Sequence, residues 1–260
     1  MALVLDHRYI VGMRVDASDY EEAAERILAW ARTGESRYVC VGTVHMAMEA
    51  NDDPSFREVV NRADLVTSDG MPLVWGLRLL GVPGATRVYG PDLTPVVCRA
   101  AAREGIPVGF YGGTPQVLER LVARLRADHP GLRISYAYSP PFRPSSAEEE
   151  ARQAEAIAVS GCGVLFVGTG CPKQEWWMAR MRGRIPAVMI GVGAAFDFLA
   201  GAKRQAPQWM QGAGLEWLFR LAAEPRRLWR RYLRNNPRFV LLFSRQLISE
   251  RFIGNGREVA

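Results

Sequence analysis

The sequence predicts an α/β protein: a parallel sheet covered on both faces by helices, followed by a purely helical carboxyl-terminal appendage. Three observations predict it. Short apolar or β-branched runs such as Leu65-Val66-Thr67 and Val164-Leu165-Phe166-Val167 stop at glycine-containing turns, and helical periodicity follows each. Strands alternating with helices imply right-handed crossovers and therefore parallel neighbours. After Ala206-Pro207 the alternation ends and only helical patterns remain.

In chain order, residues 7–15 read as one strand with partial alternation. Ser18-Asp19-Tyr20-Glu21 then has the Ser-x-x-Glu form of a capping box, opening a helix that ends at Gly34. Tyr38-Val39-Cys40-Val41 reads as a buried strand closing on Gly42-Thr43, with helical patterns over 46–50 and 54–62 behind it. Residues 63–75 read as strand, tight turn and helix, because Gly70 permits the turn and Pro72 suits a first helical turn. A loop over 81–86 leads to a helix over 93–104. The alternation then becomes regular: strand 107–111, a helix capped by Thr114, strand 133–137, a proline-rich loop, helix 146–159, strand 163–167, a helix opened by Lys173-Gln174-Glu175, and strand 187–192. The appendage reads as three short helices, over 215–223, over 226–234 and from Pro237 onward, broken at the two prolines. Helices this short need a partner for their apolar sides, whether the core, another subunit or a membrane interface.

Composition bounds the function. A chain of 260 residues with 48% hydrophobic and 23% charged residues can bury a full core. The formal charge of +6 is uneven: residues 203–260 hold twelve Lys and Arg against four Asp and Glu, while residues 1–202 hold 21 against 23. We divide the chain accordingly into an α/β core over 1–202 and a basic amphipathic appendage over 203–260. Such a block attracts nucleic acid, an anionic lipid surface or a phosphorylated ligand. Cys40, Cys98, Cys162 and Cys171 lack metal spacing, and His45 and His129 stand alone, so no metal site is expected and the thiols read as reduced in a cytosolic protein. The amino-terminal stretch has no leader pattern, and no apolar run approaches the ~20 residues of a membrane span, so membrane contact is expected to be peripheral.

Ligands of open parallel sheets gather beyond the carboxyl ends of the strands. Asp69 falls there and is the first candidate for chemistry, against the plainer reading of an Asp-Gly turn. Thr43 sits at the same edge, where the competing reading is a helix N-cap. Gln174, at a helix start, can donate to a substrate oxygen or serve as an exposed capping amide. Arg220, Arg226, Arg227, Arg230 and Arg231 form the densest cationic set, and positions 220, 227 and 230 return to one helical face. Three guanidinium groups there can grip a diphosphate and stand in for a divalent metal behind a leaving pyrophosphate; the competing reading is a solvated basic face. Trp217, Trp229, Tyr232 and Phe239 interleaved among them point to a membrane interface. Gly168-x-Gly170 and Gly191-x-Gly193 lack the third glycine of a dinucleotide fingerprint, which argues against an oxidoreductase. An RNA-binding module is the non-enzymatic alternative.

Several strings, in order, carry a resemblance. They are Thr43; Ala63-Asp64-Leu65 with Ser68-Asp69-Gly70; Arg87-Val88-Tyr89-Gly90-x-Asp92-Leu93; Tyr111-Gly112-Gly113; Gly170-x-Pro172-Lys173-Gln174-Glu175; Gly191-Val192-Gly193-Ala194-x-Phe196-Asp197; Arg204-x-Ala206-Pro207; and Gly214-Leu215-Glu216-Trp217-Leu218-Phe219-Arg220 with Glu224-Pro225-x-Arg227. Together they resemble the WecG/TagA/CpsF family, glycosyltransferase family 26, over most of the chain. The resemblance implies a Rossmann-like core and an appendage that closes over the active site and touches the membrane. It implies an inverting, metal-independent transfer, without cofactor, from a UDP-sugar to a polyprenyl-diphosphate-linked saccharide on the cytoplasmic face of the membrane. By position, Asp69 becomes the general base, with Thr43 in the catalytic site and Gln174 beside it in the sugar pocket. Arg220, Arg227 and Arg230 hold the diphosphate, and Asp92 joins the substrate-binding set. N-acetylmannosamine is the family's best-known donor sugar, and glucose also occurs. The implied partners are donor, lipid-linked acceptor and an anionic membrane surface, with no nucleic acid; homo-oligomerisation stays open. One departure is His45, where the family usually has Asn.

Overall fold

The computed structural model describes residues 5–255. The first four positions of the amino-terminal stretch and the last five of the basic tail lie outside the described residues. The chain opens with β1 (His7–Ile10) and β2 (Met13–Asp16), an antiparallel pair joined at Val11 and Gly12, both at positive φ. The single strand expected over 7–15 is thus a hairpin. A two-residue turn preserves the even alternation, which hides it from a pattern search. Helix α1 (Tyr20–Arg32) is capped one residue later than expected: Asp19 accepts from the Glu22 amide at 2.8 Å, and Glu22 accepts from the Asp19 amide at 3.2 Å.

The alternation that follows runs β3 (Arg37–Gly42), α2 (Val44–Asp52), α3 (Pro54–Asn61), β4 (Leu65–Ser68), α4 (Met71–Leu79), α5 (Gly90–Glu104), β5 (Val108–Gly112), α6 (Pro115–Asp128), β6 (Ile134–Tyr138), α7 (Ala147–Val159), β7 (Val164–Gly168), α8 (Lys173–Met181), β8 (Val188–Gly191) and α9 (Ala195–Leu199). The six strands β3 to β8 form one parallel sheet in the order β4-β3-β8-β7-β5-β6. Successive strand residues point to opposite faces, so each strand feeds two cores. On one face Cys40, Val66, Leu165 and Met189 pack with Ile10, Phe56, Trp177 and Met178. On the other Val39, Leu65, Phe166 and Ile190 pack with Ile27, Val97, Leu121 and Phe196.

The appendage is α10 (Gln208–Gly212), α11 (Glu216–Ala223) and α12 (Pro225–Asn255). Pro237 does not begin a new helix; it lies inside α12. A proline removes the hydrogen bond to the carbonyl four residues back, here that of Leu233, and both residues sit on the solvent side of the helix where water replaces the lost donor. The opposite side of α12 is buried: Phe239 and Phe243 join the first core, at about 1.5–3 kcal/mol each. Polar contacts fix the same docking, with Arg238 donating to both oxygens of Asp52 on α2 at 2.6 and 2.9 Å, and Gln246 bonding Val11 and Tyr9 of the hairpin. Among the described residues no helix is long and apolar enough to cross a membrane.

Candidate active site

The site begins with strand register. Gly42 of β3 pairs with Ser68 of β4, so the next residue of each strand, Thr43 and Asp69, emerges at the same sheet edge. The Asp69 amide donates to the Gly42 carbonyl at 2.9 Å, extending the ladder by one bond. Thr43 then caps α2, its Oγ1 accepting from the Met46 amide at 3.2 Å. Capping uses an acceptor lone pair and leaves the hydroxyl proton available, so the structural and functional readings of Thr43 coexist. Both residues line a cavity of about 830 Å³ running along the carboxyl ends of β4, β3, β8 and β7 and roofed by the appendage. Ligand pockets span roughly 300–1,000 Å³.

Asp69 is held by its backbone and its neighbours. One carboxylate oxygen accepts from the Gly90 amide at the start of α5, at 3.1 Å. Burial pushes its carboxyl up to about 7, and Glu216 pushes it in the same direction, while Arg87, the Gly90 amide and Arg220 pull it down. A carboxylate poised near neutrality suits a general base better than an ordinary one, which is too weak to take a proton from a hydroxyl.

Arg87 connects Asp69 to the appendage. Its Nε donates to the Asp69 carbonyl oxygen, Nη1 to Gln211 of α10 at 3.2 Å, and Nη2 to Glu216 of α11. The guanidinium lies 4.0 Å from the centre of the Tyr89 ring, and the Tyr89 hydroxyl donates to Glu216 at 3.0 Å. Sequence reasoning quoted Arg87, Tyr89 and Glu216 only as parts of strings. Their shared function depends on a contact between residues 129 positions apart.

Gln174 lines the cavity and is not an exposed cap. Its side chain is buried; Oε1 accepts from the amides of Gly170 and Gly193, each at 3.1 Å, and Nε2 donates to Glu175 at 2.7 Å. One amide thereby pins the loops after β7 and β8 against each other, forming the cavity wall. Gly191 makes room for it, since a Cβ there would stand 2.9 Å from Gln174 Nε2.

Three arginines of the appendage reach the cavity: Arg220, Arg227 and Arg231. Arg230, expected in this set, does not. It is exposed, with its guanidinium over the Trp229 ring, because α12 is continuous from Pro225 and the inward row repeats every four residues. That row is Arg227, Arg231, Asn235, Phe239, Phe243 and Leu247, all of which line the cavity. The buried Nε atoms of Arg220 and Arg231 have no protein partner among the described residues, and Arg227 is held at the rim by Glu224 at 2.7 Å. Buried guanidinium donors without partners are costly unless an anion completes them. Asp92 lies outside the cavity lining. It accepts from the Tyr20 hydroxyl at 3.2 Å, which itself accepts from the Tyr89 amide, so Asp92 braces the Tyr89 segment from behind. His45 lines the cavity with its Nδ1 3.2 Å from Asn235 Nδ2; burial and the nearby Arg231 lower its pKa to about 4, leaving it neutral near pH 7.

Residues 8–252 match the family model described as the glycosyl transferase WecG/TagA/CpsF family. The chain belongs to that family. It is also 31% identical, over 78% of its length and 77% of the relative's, to an N-acetylglucosaminyldiphosphoundecaprenol N-acetyl-beta-D-mannosaminyltransferase of Bacillus spizizenii. The family match spans the core and nearly all of α12, so the cavity and its helical roof both fall within one glycosyltransferase unit.

Proposed function

We propose that the protein transfers a sugar from a UDP-sugar to a polyprenyl-diphosphate-linked saccharide, with inversion and without a metal, in the assembly of a surface polysaccharide. The observation that carries this reading is the meeting, in one cavity, of a near-neutral carboxylate and partnerless buried guanidinium nitrogens. In the step itself, ionised Asp69 takes the proton of the acceptor hydroxyl as its oxygen attacks the anomeric carbon. The bond from that carbon to the β-phosphate oxygen breaks on the opposite side, and UDP leaves with the electron pair. Arg220, Arg227 and Arg231 meet the charge that develops on the diphosphate, the part a divalent cation plays elsewhere. Thr43 contributes a hydroxyl donor at the sugar, and Gln174 acts by holding the loops that shape the pocket.

N-acetylmannosamine is the donor sugar that the Bacillus relative favours, and N-acetylglucosaminyl-diphospho-polyprenol the acceptor. The exposed Trp229, Leu233, Val240, Leu241 and Ile248 of α12, set among arginines, suit a peripheral seat on an anionic bilayer at its cytoplasmic face, where such an acceptor is reached. A panel of UDP-sugars with this acceptor, scored by UDP release, should single out UDP-N-acetylmannosamine, with activity undiminished by EDTA. Preference for UDP-glucose would replace the donor, and loss of activity in chelator restored by magnesium would remove the arginines from their role as counter-charge.

A further inference from the structure

Glu216 is the carboxylate that the transfer chemistry does not use, and it lies where it can control the one that is used. Its side chain is 14% exposed, belongs to α11, and takes both Arg87 Nη2 and the Tyr89 hydroxyl. Arg87 Nη2 is left 3.7 Å from the Asp69 carboxylate, beyond a good hydrogen bond, although the Arg87 Nε already bonds the Asp69 backbone carbonyl. The guanidinium is therefore shared between two acids, and the appendage holds the larger share.

We propose that Glu216 is a positioning residue that keeps Asp69 basic by holding the Arg87 guanidinium away from it, so that docking of α11 switches the base on. This rests on Asp69 being the base. Without Glu216 in place, Arg87 needs only a small rotation to pair directly with Asp69, and an opposite charge at contact distance lowers a carboxyl by about 1–3 pK units. A base so weakened is poor at proton abstraction. The coupling gives the enzyme a physical reason to hold its base inactive until the roof has closed and water is excluded.

The charged and titratable groups around Asp69 are few. Arg87 and Tyr89 come from the segment before α5, with the Gly90 amide behind them. Glu216 and Arg220 come from α11, while Thr43 and neutral His45 face the cavity from the start of α2. Among the described residues Glu216 is the negative neighbour that raises the Asp69 carboxyl, so its removal acts in one direction.

The test is the pH profile of kcat/KM in the full chain. Activity should rise with pH as Asp69 loses its proton, giving an acidic limb. In Glu216→Gln the limb should move down by roughly one unit or more, with a lower plateau rate. Glu216→Asp, whose shorter side chain loosens its hold on Arg87, should fall between that variant and the parent, so either variant carries the test if the other does not fold. Limbs that coincide in parent and variants, with rates reduced equally at every pH, would make Glu216 a merely structural tie and overturn the proposal. Failure of the base assignment looks different: Asp69→Asn would then turn over normally. An inert Asp69→Asn with limbs indifferent to Glu216 sinks only the coupling.

Discussion

At the scale of single residues the site is built from side chains with two obligations. Thr43 caps the start of a helix and still has its hydroxyl proton; Asp69 continues a strand ladder through its amide while its carboxylate, the base in our proposal, faces the cavity. Gln174 commits its Oε1 and one Nε2 hydrogen inside the protein. Gln174→Ala would strand the Gly170 amide and leave that of Gly193 only its 3.4 Å bond to the Val167 carbonyl, and stability should fall by about 1–3 kcal/mol, with a melting temperature several degrees lower and a broad loss of turnover. An unchanged melting temperature with a raised KM for the donor would return Gln174 to direct sugar recognition. The placement of Thr43 and Asp69 at one sheet edge was legible because turn chemistry and strand endings are local. The direction of the Gln174 amide was not, because it is set by two glycine loops converging from different strands.

At the scale of elements the decisive feature is the continuity of α12. Spacings of three and seven put positions 220, 227 and 230 on one face of short helices; in the continuous α12 the inward row steps by four, from Arg227 to Arg231, and Arg230 turns outward. Sequence pattern could not choose between these rows, because residues three and four apart are both neighbours on a helix and the docking of α12 on the core selects which row faces inward. The two arginines should therefore behave differently. Arg231→Ala should raise the KM for the UDP-sugar by about tenfold or more, as expected for a lost charge-assisted contact worth about 1.5–3 kcal/mol. Arg230→Ala should leave that KM alone and weaken binding to anionic vesicles at low salt. Steady-state kinetics with vesicle sedimentation separates them, and equal KM effects would contradict the inward row. The hairpin and the shifted capping box are smaller cases of the same limit, where an even-length turn and a one-residue slide leave the alternation intact.

At the scale of the molecule, a parallel sheet supplies a floor and the last helices supply the roof, and the cavity is lined by both. The floor was legible in order and type because most of its strands end at glycine-containing turns and α1, α2, α3, α6 and α7 begin with a side-chain cap. The roof's attachment was not, because it depends on long-range contacts: Phe239 and Phe243 in the core, Arg238 on Asp52, Glu216 on Arg87. Asp52, held at about 2 by Arg238, stays ionised at any pH where the enzyme works, so this attachment is constant while the Asp69 neighbourhood titrates. The central claim is that one carboxylate from the floor and a set of guanidinium groups from the roof act on the same bound nucleotide sugar. Turnover of Asp69→Asn, measured as UDP release with the lipid-linked acceptor and set beside its calorimetric Kd for UDP, tests this most directly. The expected result is a rate loss of about 10²–10⁴-fold with UDP affinity within a few-fold of the parent; near-parental turnover, or UDP affinity lost along with the rate, would contradict it.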